Sequence, residues 1–258
     1  MSKLAERLRR TLRVDAPAMG FGAASRISNP SLLLAAILPS PSPETASEAA
    51  SRGADTCLIT GSEHKDQQLK QTLEALGDVP CGLHLGRVDA EVAAHLAELG
   101  VDYTVFDPED ELATALLESK LGHVLSLEND LSDIHLRILE ALPLDAILLR
   151  PRKGPLTVRQ QIDLQRISAL TRKPLILPVS PEVTSGELQV LREAAVVAVA
   201  VEADSKGALD GLAVLRKLID ELPPRQRRRE ERAEAILPRV TEVSSAASEE
   251  EEEEEEGW

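Results

Sequence analysis

The chain has 258 residues, 43% of them hydrophobic and only 2% aromatic, and a formal net charge of −15. Its length suits one α/β barrel domain, with Leu, Val, Ile and Ala left to fill the core. Eight negatives are the run Glu249–Glu256, and the rest of the chain still stands at −7, which argues against nucleic-acid binding; no apolar run nears the roughly 18 residues that cross a bilayer, so no membrane contact is expected and a cytoplasmic location fits best.

In chain order, SKLAERLRRTLR places Leu4, Leu8 and Leu12 on one helical stripe ringed by Arg7, Arg9, Arg10 and Arg13. This predicts a helix that closes one end of the domain. Eight short apolar runs rich in branched residues follow: Leu32–Leu38, Thr56–Thr60, Cys81–Leu85, Tyr103–Phe106, Val124–Leu127, Ala146–Leu149, Leu175–Val179 and Val196–Val201. Between them, stretches such as QQLKQTLEAL, AEVAAHLAELG, DIHLRILEAL and DGLAVLRKLIDEL repeat Leu and Ala at three- and four-residue spacing, as one buried helix face requires. Gly53, Gly100, Gly122, Pro143 and Pro174 sit where each helix should stop before the next strand. Strand alternating with helix demands a parallel sheet. The first turn is PSPSPET rather than the Gly-rich turn of an open nucleotide-binding sheet, so the prediction is a single (β/α)8 barrel of the TIM type.

The expected organisation is an N-terminal helix and lead-in over 1–30, the barrel over 31–222, a basic helical segment over 223–240 and a disordered acidic tail over 241–258. Pro223-Pro224 ends the last barrel helix, RQRRREERAEAI follows, and the Glu-rich end has too little apolar surface to fold. Cys57 and Cys81 fall inside apolar runs at no ligand-like spacing, so neither a disulfide framework nor a zinc site is expected.

Strand alternation assigns the inner face. If the outward parity is uniformly apolar, Leu83 and Leu85, Phe106, Leu125 and Leu127, Ile147 and Leu149, Leu175, Leu177 and Val179, and Val197, Val199 and Val201 pack against helices. The inward residues nearest the C-terminal strand ends are then Thr60, His84, Asp107, Glu128, Arg150, Ser180 and Glu202 for strands two to eight. Barrel sites lie at this end. Carboxylates and an imidazole there can run acid–base chemistry or hold a divalent cation, and Arg150 can clamp an anion. An internal ion network of Arg150 with Glu128 and Asp107 that merely plugs the barrel is the bland alternative. A ring drawn from five strands exceeds what one ion pair needs.

Other chemistry is disfavoured. No strand carries a Lys for a Schiff base, and no HxH pair occurs. The segments SPEVTSGE and EADSKGALD lack the paired-Gly turn of a phosphate or flavin site, and Gly186 and Gly207 read as helix starts. No flavin or nucleotide motif is present.

Three short motifs resemble the metal-dependent 2-keto-acid aldolases of the citrate-lyase-like barrel group: Glu63-His64 in GSEHKDQQL, Glu128 in LSLEND and Pro151 in DAILLRPRKGP. The resemblance implies a divalent cation on Glu128 and His64 as an acid–base residue. It departs where the family's second ligand Asp stands, since that position is Lys153, and where its substrate Arg stands, since this chain has His84 or Arg87.

Two functions stay open. One is an enzyme of lyase or isomerase type acting on a small anionic metabolite, with Glu128 and Asp107 as base or ligands, His84 or His64 as acid, and Arg150, Thr60, Ser180 and Glu202 around the substrate. The other is a non-catalytic, enzyme-derived barrel that binds a protein partner through residues 223–258.

Overall fold

The computed structural model describes residues 2–12, 30–61, 65–109, 112–127, 131–151 and 154–223. They belong to one unit, Met1–Arg225; a second unit, Gln226–Trp258, lies outside them, as do the expectations for the basic helix and acidic tail.

Eight parallel strands form a closed barrel in chain order: β1 (Leu33–Leu38), β2 (Thr56–Ile59), β3 (Cys81–His84), β4 (Tyr103–Phe106), β5 (Gly122–Leu127), β6 (Ala146–Leu149), β7 (Leu175–Pro178) and β8 (Val196–Glu202). Pairing of Leu33 with Ala198 through Ile37 with Glu202 closes β1 onto β8. This is the TIM-type (β/α)8 barrel that the sequence predicts. The helices are α1 (Lys3–Leu12), α2 (Pro43–Ser51), α3 (Asp66–Leu76), α4 (Ala90–Leu99), α5 (Asp133–Glu140), α6 (Val158–Thr171), α7 (Ser185–Glu193) and α8 (Lys206–Asp220). After β4 the described part of the connection holds a 3-10 turn, Ala113–Leu117, in place of an α-helix.

Local chemistry sets the helix starts. Ser42, Asp89, Ser132, Thr157, Thr184 and Ser205 each accept a backbone N–H from the first turn of the helix that follows. Gln160 and Glu187 complete reciprocal capping boxes with Thr157 and Thr184. Helix α8 then buries a three- and four-residue stripe of Leu209, Leu212, Leu215 and Ile219, whereas α5 buries only Leu136.

The core has two layers. Outward residues, among them Leu83, Phe106, Leu125, Ile147, Leu175 and Val199, pack against the helices. Inward residues, among them Leu33, Ala35, Leu58, Tyr103, Val124, Leu148 and Ala200, fill the barrel. Val197 departs from expectation and joins the interior cluster, while Val196 lies in the outer layer. The cause is a register shift: Leu175 pairs with Val196 but Ile176 pairs with Ala198, so one extra β8 residue is accommodated and local alternation breaks.

The N-terminal helix does close the end formed by the strand starts. Leu4 and Leu8 are fully buried within the interior cluster, and the Asp102 carboxylate accepts from the backbone N–H groups of Lys3 (2.6 Å) and Leu4 (2.8 Å). Leu12 is exposed, and Thr11 is the buried residue of that last turn. Gly122 does not stop a helix; it begins β5, where a Cβ would sit 2.6 Å from Ser2 Oγ. Gly53 and Gly100 do end helices, with φ of +92° and +96°.

Candidate active site

Strand parity carries the polar residues to the opposite, C-terminal end, where a cavity of about 740 Å³ opens. Thr60, His84, Asp107, Arg150, Ser180 and Glu202 all line it, so six of the expected residues are brought together. Glu128, His64 and Lys153 lie outside the described residues. The first strand contributes apolar Ile37, as expected.

Deeper in the barrel, outside the cavity lining, Gly82 and Tyr103 form a packed floor. A Cβ on Gly82 would fall 2.1 Å from the Tyr103 ring, so only glycine lets the ring lie flat across β3. The Tyr103 hydroxyl donates to the Cys57 carbonyl at 2.9 Å and lies 3.0 Å from the Thr56 hydroxyl. Full burial pushes its pKa well above the ordinary phenol range, so it acts as a plug and not as a proton donor.

Above the floor, Asp107 stands between two partners. Its Oδ2 is 3.7 Å from Nε2 of His84, and its Oδ1 is 4.0 Å from Nη2 of Arg150. Both contacts lie at the long edge of ion-pair range, and the Arg150 side chain is 55% exposed. Arg150, whose planar guanidinium carries five N–H donors, lines the open cavity beside Asp107. Ser180 accepts from the Glu182 N–H at 3.3 Å and so shapes the loop after β7. Thr60 reaches back to the Leu38 carbonyl at 3.5 Å.

Strand parity with Leu125 and Leu127 outward also turns Ser126 inward, whereas it misses one lining residue of consequence. Asp204 sits in the loop between β8 and α8, where alternation no longer applies. Ser126 points inward from β5 one pair below the rim, opposite Leu148 in register, and is 8% exposed. A smaller cavity of about 430 Å³ lies between Gly154–Leu156 and α7. There Glu187 accepts from the N–H groups of Thr184 and Leu156, which hold its carboxyl below the usual range, and Gln160 caps Thr157.

The two cysteines add a relationship that their sequence positions do not show. Cys57 and Cys81 are direct register partners on β2 and β3, both in the outer core layer and both free thiols. Burial pushes Cys57 up to about 12 and Cys81 well above its ordinary range. They face away from the mouth.

Among the described residues, no group of three or more His, Cys, Asp or Glu is arranged to hold a metal ion, and no helix is long and apolar enough to cross a membrane. Glu128 and Lys153, the positions at which the aldolase resemblance implies a cation and departs from its second ligand Asp, lie outside the described residues.

These features define a TIM-barrel protein with a polar cavity at the catalytic end of the fold. A ligand-free tryptophan synthase from M. tuberculosis is similar over 85% of this chain and 98% of its own, at 12% identity and a TM-score of 0.61. The KGPDC of Streptococcus mutans is similar over 74% and 98% at 10% identity and a TM-score of 0.58. An HpcH/HpaI aldolase from Desulfitobacterium hafniense DCB-2 is similar over 76% and 95% at 12% identity and a TM-score of 0.53. No family model and no curated protein matches the sequence. At these identities the likeness is one of fold. The alternative of a protein-binding barrel rests on residues 223–258, of which only Pro223 is described.

Proposed function

We propose that this barrel is an enzyme that binds a small carboxylate-bearing metabolite at its mouth and moves a proton on the carbon next to an acyl or carboxyl group, as lyases and isomerases do. One observation carries the reading: a single carboxylate, Asp107, is shared between an imidazole and a guanidinium at the open end of a 740 Å³ cavity. Pockets of this size hold metabolite-sized ligands.

In this reading Arg150 holds the substrate carboxylate and draws off charge as it develops. His84 takes the proton, and Asp107 orients the ring and stabilises the imidazolium that forms. The proton then returns to a neighbouring atom, or the adjacent bond breaks. Thr60, Ser180 and Glu202 fix the rest of the ligand, with Glu128 as a second base and His64 as an alternative acid. Positioned proton transfer of this kind contributes about 10²–10⁴ in rate. A lyase-type fold neighbour, the HpcH/HpaI aldolase, agrees with this class, and Glu63-His64, Glu128 and Pro151 support descent from metal-dependent aldolase barrels. The chemistry proposed here runs on side chains alone.

The test is exchange of substrate C–H for deuterium in D2O, followed by NMR on the full chain with a panel of small 2-oxo and 2-hydroxy carboxylates. Exchange on at least one member, lost in His84→Gln and in Arg150→Ala, is expected. Undiminished exchange in both variants would sink the assignment.

A further inference from the structure

We infer that the ligand of this mouth carries an ammonium group as well as a carboxylate, so that the pocket is built for a small zwitterionic acid. The inference rests on the reading of the mouth as a carboxylate site.

The charges lining the cavity do not suit a plain anion. Among the described residues that line it, one guanidinium, Arg150, stands against three carboxylates, Asp107, Glu202 and Asp204. Asp107 already lies beside Arg150 and His84. Glu202 and Asp204 are exposed and have no ion-pair partner among the described residues, at the end of β8 and in the loop entering α8. The start of α8 follows the eighth strand, where many barrels receive a phosphate. Here Glu202 and Asp204 guard that approach, so a phosphate or a second carboxylate meets like charge instead of a helix N-terminus alone. A cation is the group these two carboxylates fit.

The two ends of the ligand are set apart by strand order. Arg150 follows β6 and Glu202 ends β8, with β7 between them. At roughly 4.8 Å per strand step their backbones are about 10 Å apart, a gap that a long side chain from each strand closes onto one small molecule. Between them, the wall contributed by Pro178 offers no charge.

A second, independent feature points to a polar ligand. Ser126 is 8% exposed, lines the same cavity from β5, and its hydroxyl has no hydrogen-bond partner among the described residues. This hydroxyl is not sealed off but opens onto the cavity, where a ligand acceptor can take the place of solvent. Strand β5 lies between β4, which leads to Asp107, and β6, which leads to Arg150, so the Ser126 hydroxyl is placed to donate to a carboxylate held by Arg150. Arg150 and Ser126 then take the acid end, and Glu202 with Asp204 take the ammonium.

The experiment measures binding to the full chain by calorimetry with matched probes: 4-aminobutyrate and 6-aminohexanoate as zwitterions, butyrate and hexanoate as plain acids, succinate and adipate as dicarboxylates. The expected result is that a zwitterion binds at least about tenfold more tightly than its plain and dicarboxylate counterparts. Glu202→Gln with Asp204→Asn should erase that preference by weakening the zwitterions more than the plain acids, and Ser126→Ala should weaken every acid. If the acids bind in an Arg150-dependent way but the amino group adds nothing, or if the double variant keeps the zwitterion preference, the inference falls and the carboxylate site stands. If no probe binds, or if binding survives Arg150→Ala, the carboxylate site falls and takes the inference with it. Thermal unfolding of each variant separates loss of binding from loss of fold.

Discussion

Oδ2 of Asp107 lies 3.7 Å from Nε2 of His84, while Oδ1 of the same carboxylate lies 4.0 Å from Nη2 of Arg150. One charge thus serves both a proton-moving group and an anion-holding group. Asp107→Asn keeps the shape and removes the charge. Its expected effect is a split: kcat falls by about 10–100-fold because the imidazolium loses its stabiliser, while KM changes little because the Arg150 guanidinium that holds the substrate is untouched. Steady-state kinetics on a substrate found by the exchange panel would check this, and a rise in KM at constant kcat would contradict it.

Gly82 is the position at which the barrel floor tolerates no side chain. A Cβ there would fall 2.1–2.4 Å from three atoms of the Tyr103 ring, and the ring is itself buried and hydrogen-bonded. Gly82→Ala should therefore cost about 1–3 kcal/mol or more in urea unfolding. Adding Tyr103→Leu should recover part of that loss by freeing the space, at the expense of the hydroxyl contacts. A Gly82→Ala protein as stable as the parent would mean the floor is looser than this packing.

Much of this site was legible in the sequence because a barrel strand has a strict two-residue period: seeing Leu83, Phe106 and Ile147 as outward was enough to turn His84, Asp107 and Arg150 inward. Failures came where that period is interrupted or irrelevant. Val197 flips because β8 pairs irregularly with β7. Asp204 belongs to a loop, whose direction no alternation fixes. Cys57 and Cys81 lie 24 residues apart in sequence, and their pairing depends on the register between β2 and β3, which neither strand reveals alone. Gly122 looks like a helix stop because it precedes a strand, yet its role is close approach to Ser2 of a segment 120 residues away. An acidic residue repeated ahead of even strands was visible but unread. Asp55, Asp102 and Asp145 precede β2, β4 and β6, and each donates its N–H to the strand before, to Leu34, Cys81 and His123.

The cysteine pair gives a prediction of inertness. Thiolates are the reactive species, and burial holds Cys57 at about 12 and Cys81 above its ordinary range. Near pH 8 the native protein should show almost no reaction with an aromatic disulfide reagent, and both thiols should titrate at once on unfolding in urea. Rapid reaction of either thiol in the folded protein would show that the outer layer over β2 and β3 opens readily.

Asp55 makes the closing prediction, one of pH. Its carboxylate is mostly buried at the strand-start end of the barrel, where it accepts from the Leu34 N–H at 2.8 Å and pairs with Arg216 at 2.9 Å. Burial is the largest influence and raises its pKa above the ordinary aspartate range; the Leu34 hydrogen bond and the charges of Arg216 and Arg7 offset only part of this. A carboxyl raised on folding binds its proton more tightly in the native state. Its contribution to stability is therefore fully present below the unfolded value, near 3.9, and is lost as pH rises through the folded value. Burial also raises Asp102, whose slope has the same sign, so the comparison must isolate Asp55. The free energy of the parent minus that of Asp55→Asn, measured by urea unfolding from about pH 3 to about pH 7, should decline with rising pH just above the ordinary aspartate range and then level off. A difference that grows with pH would mean that the Arg216 pair, and not burial, governs this carboxylate.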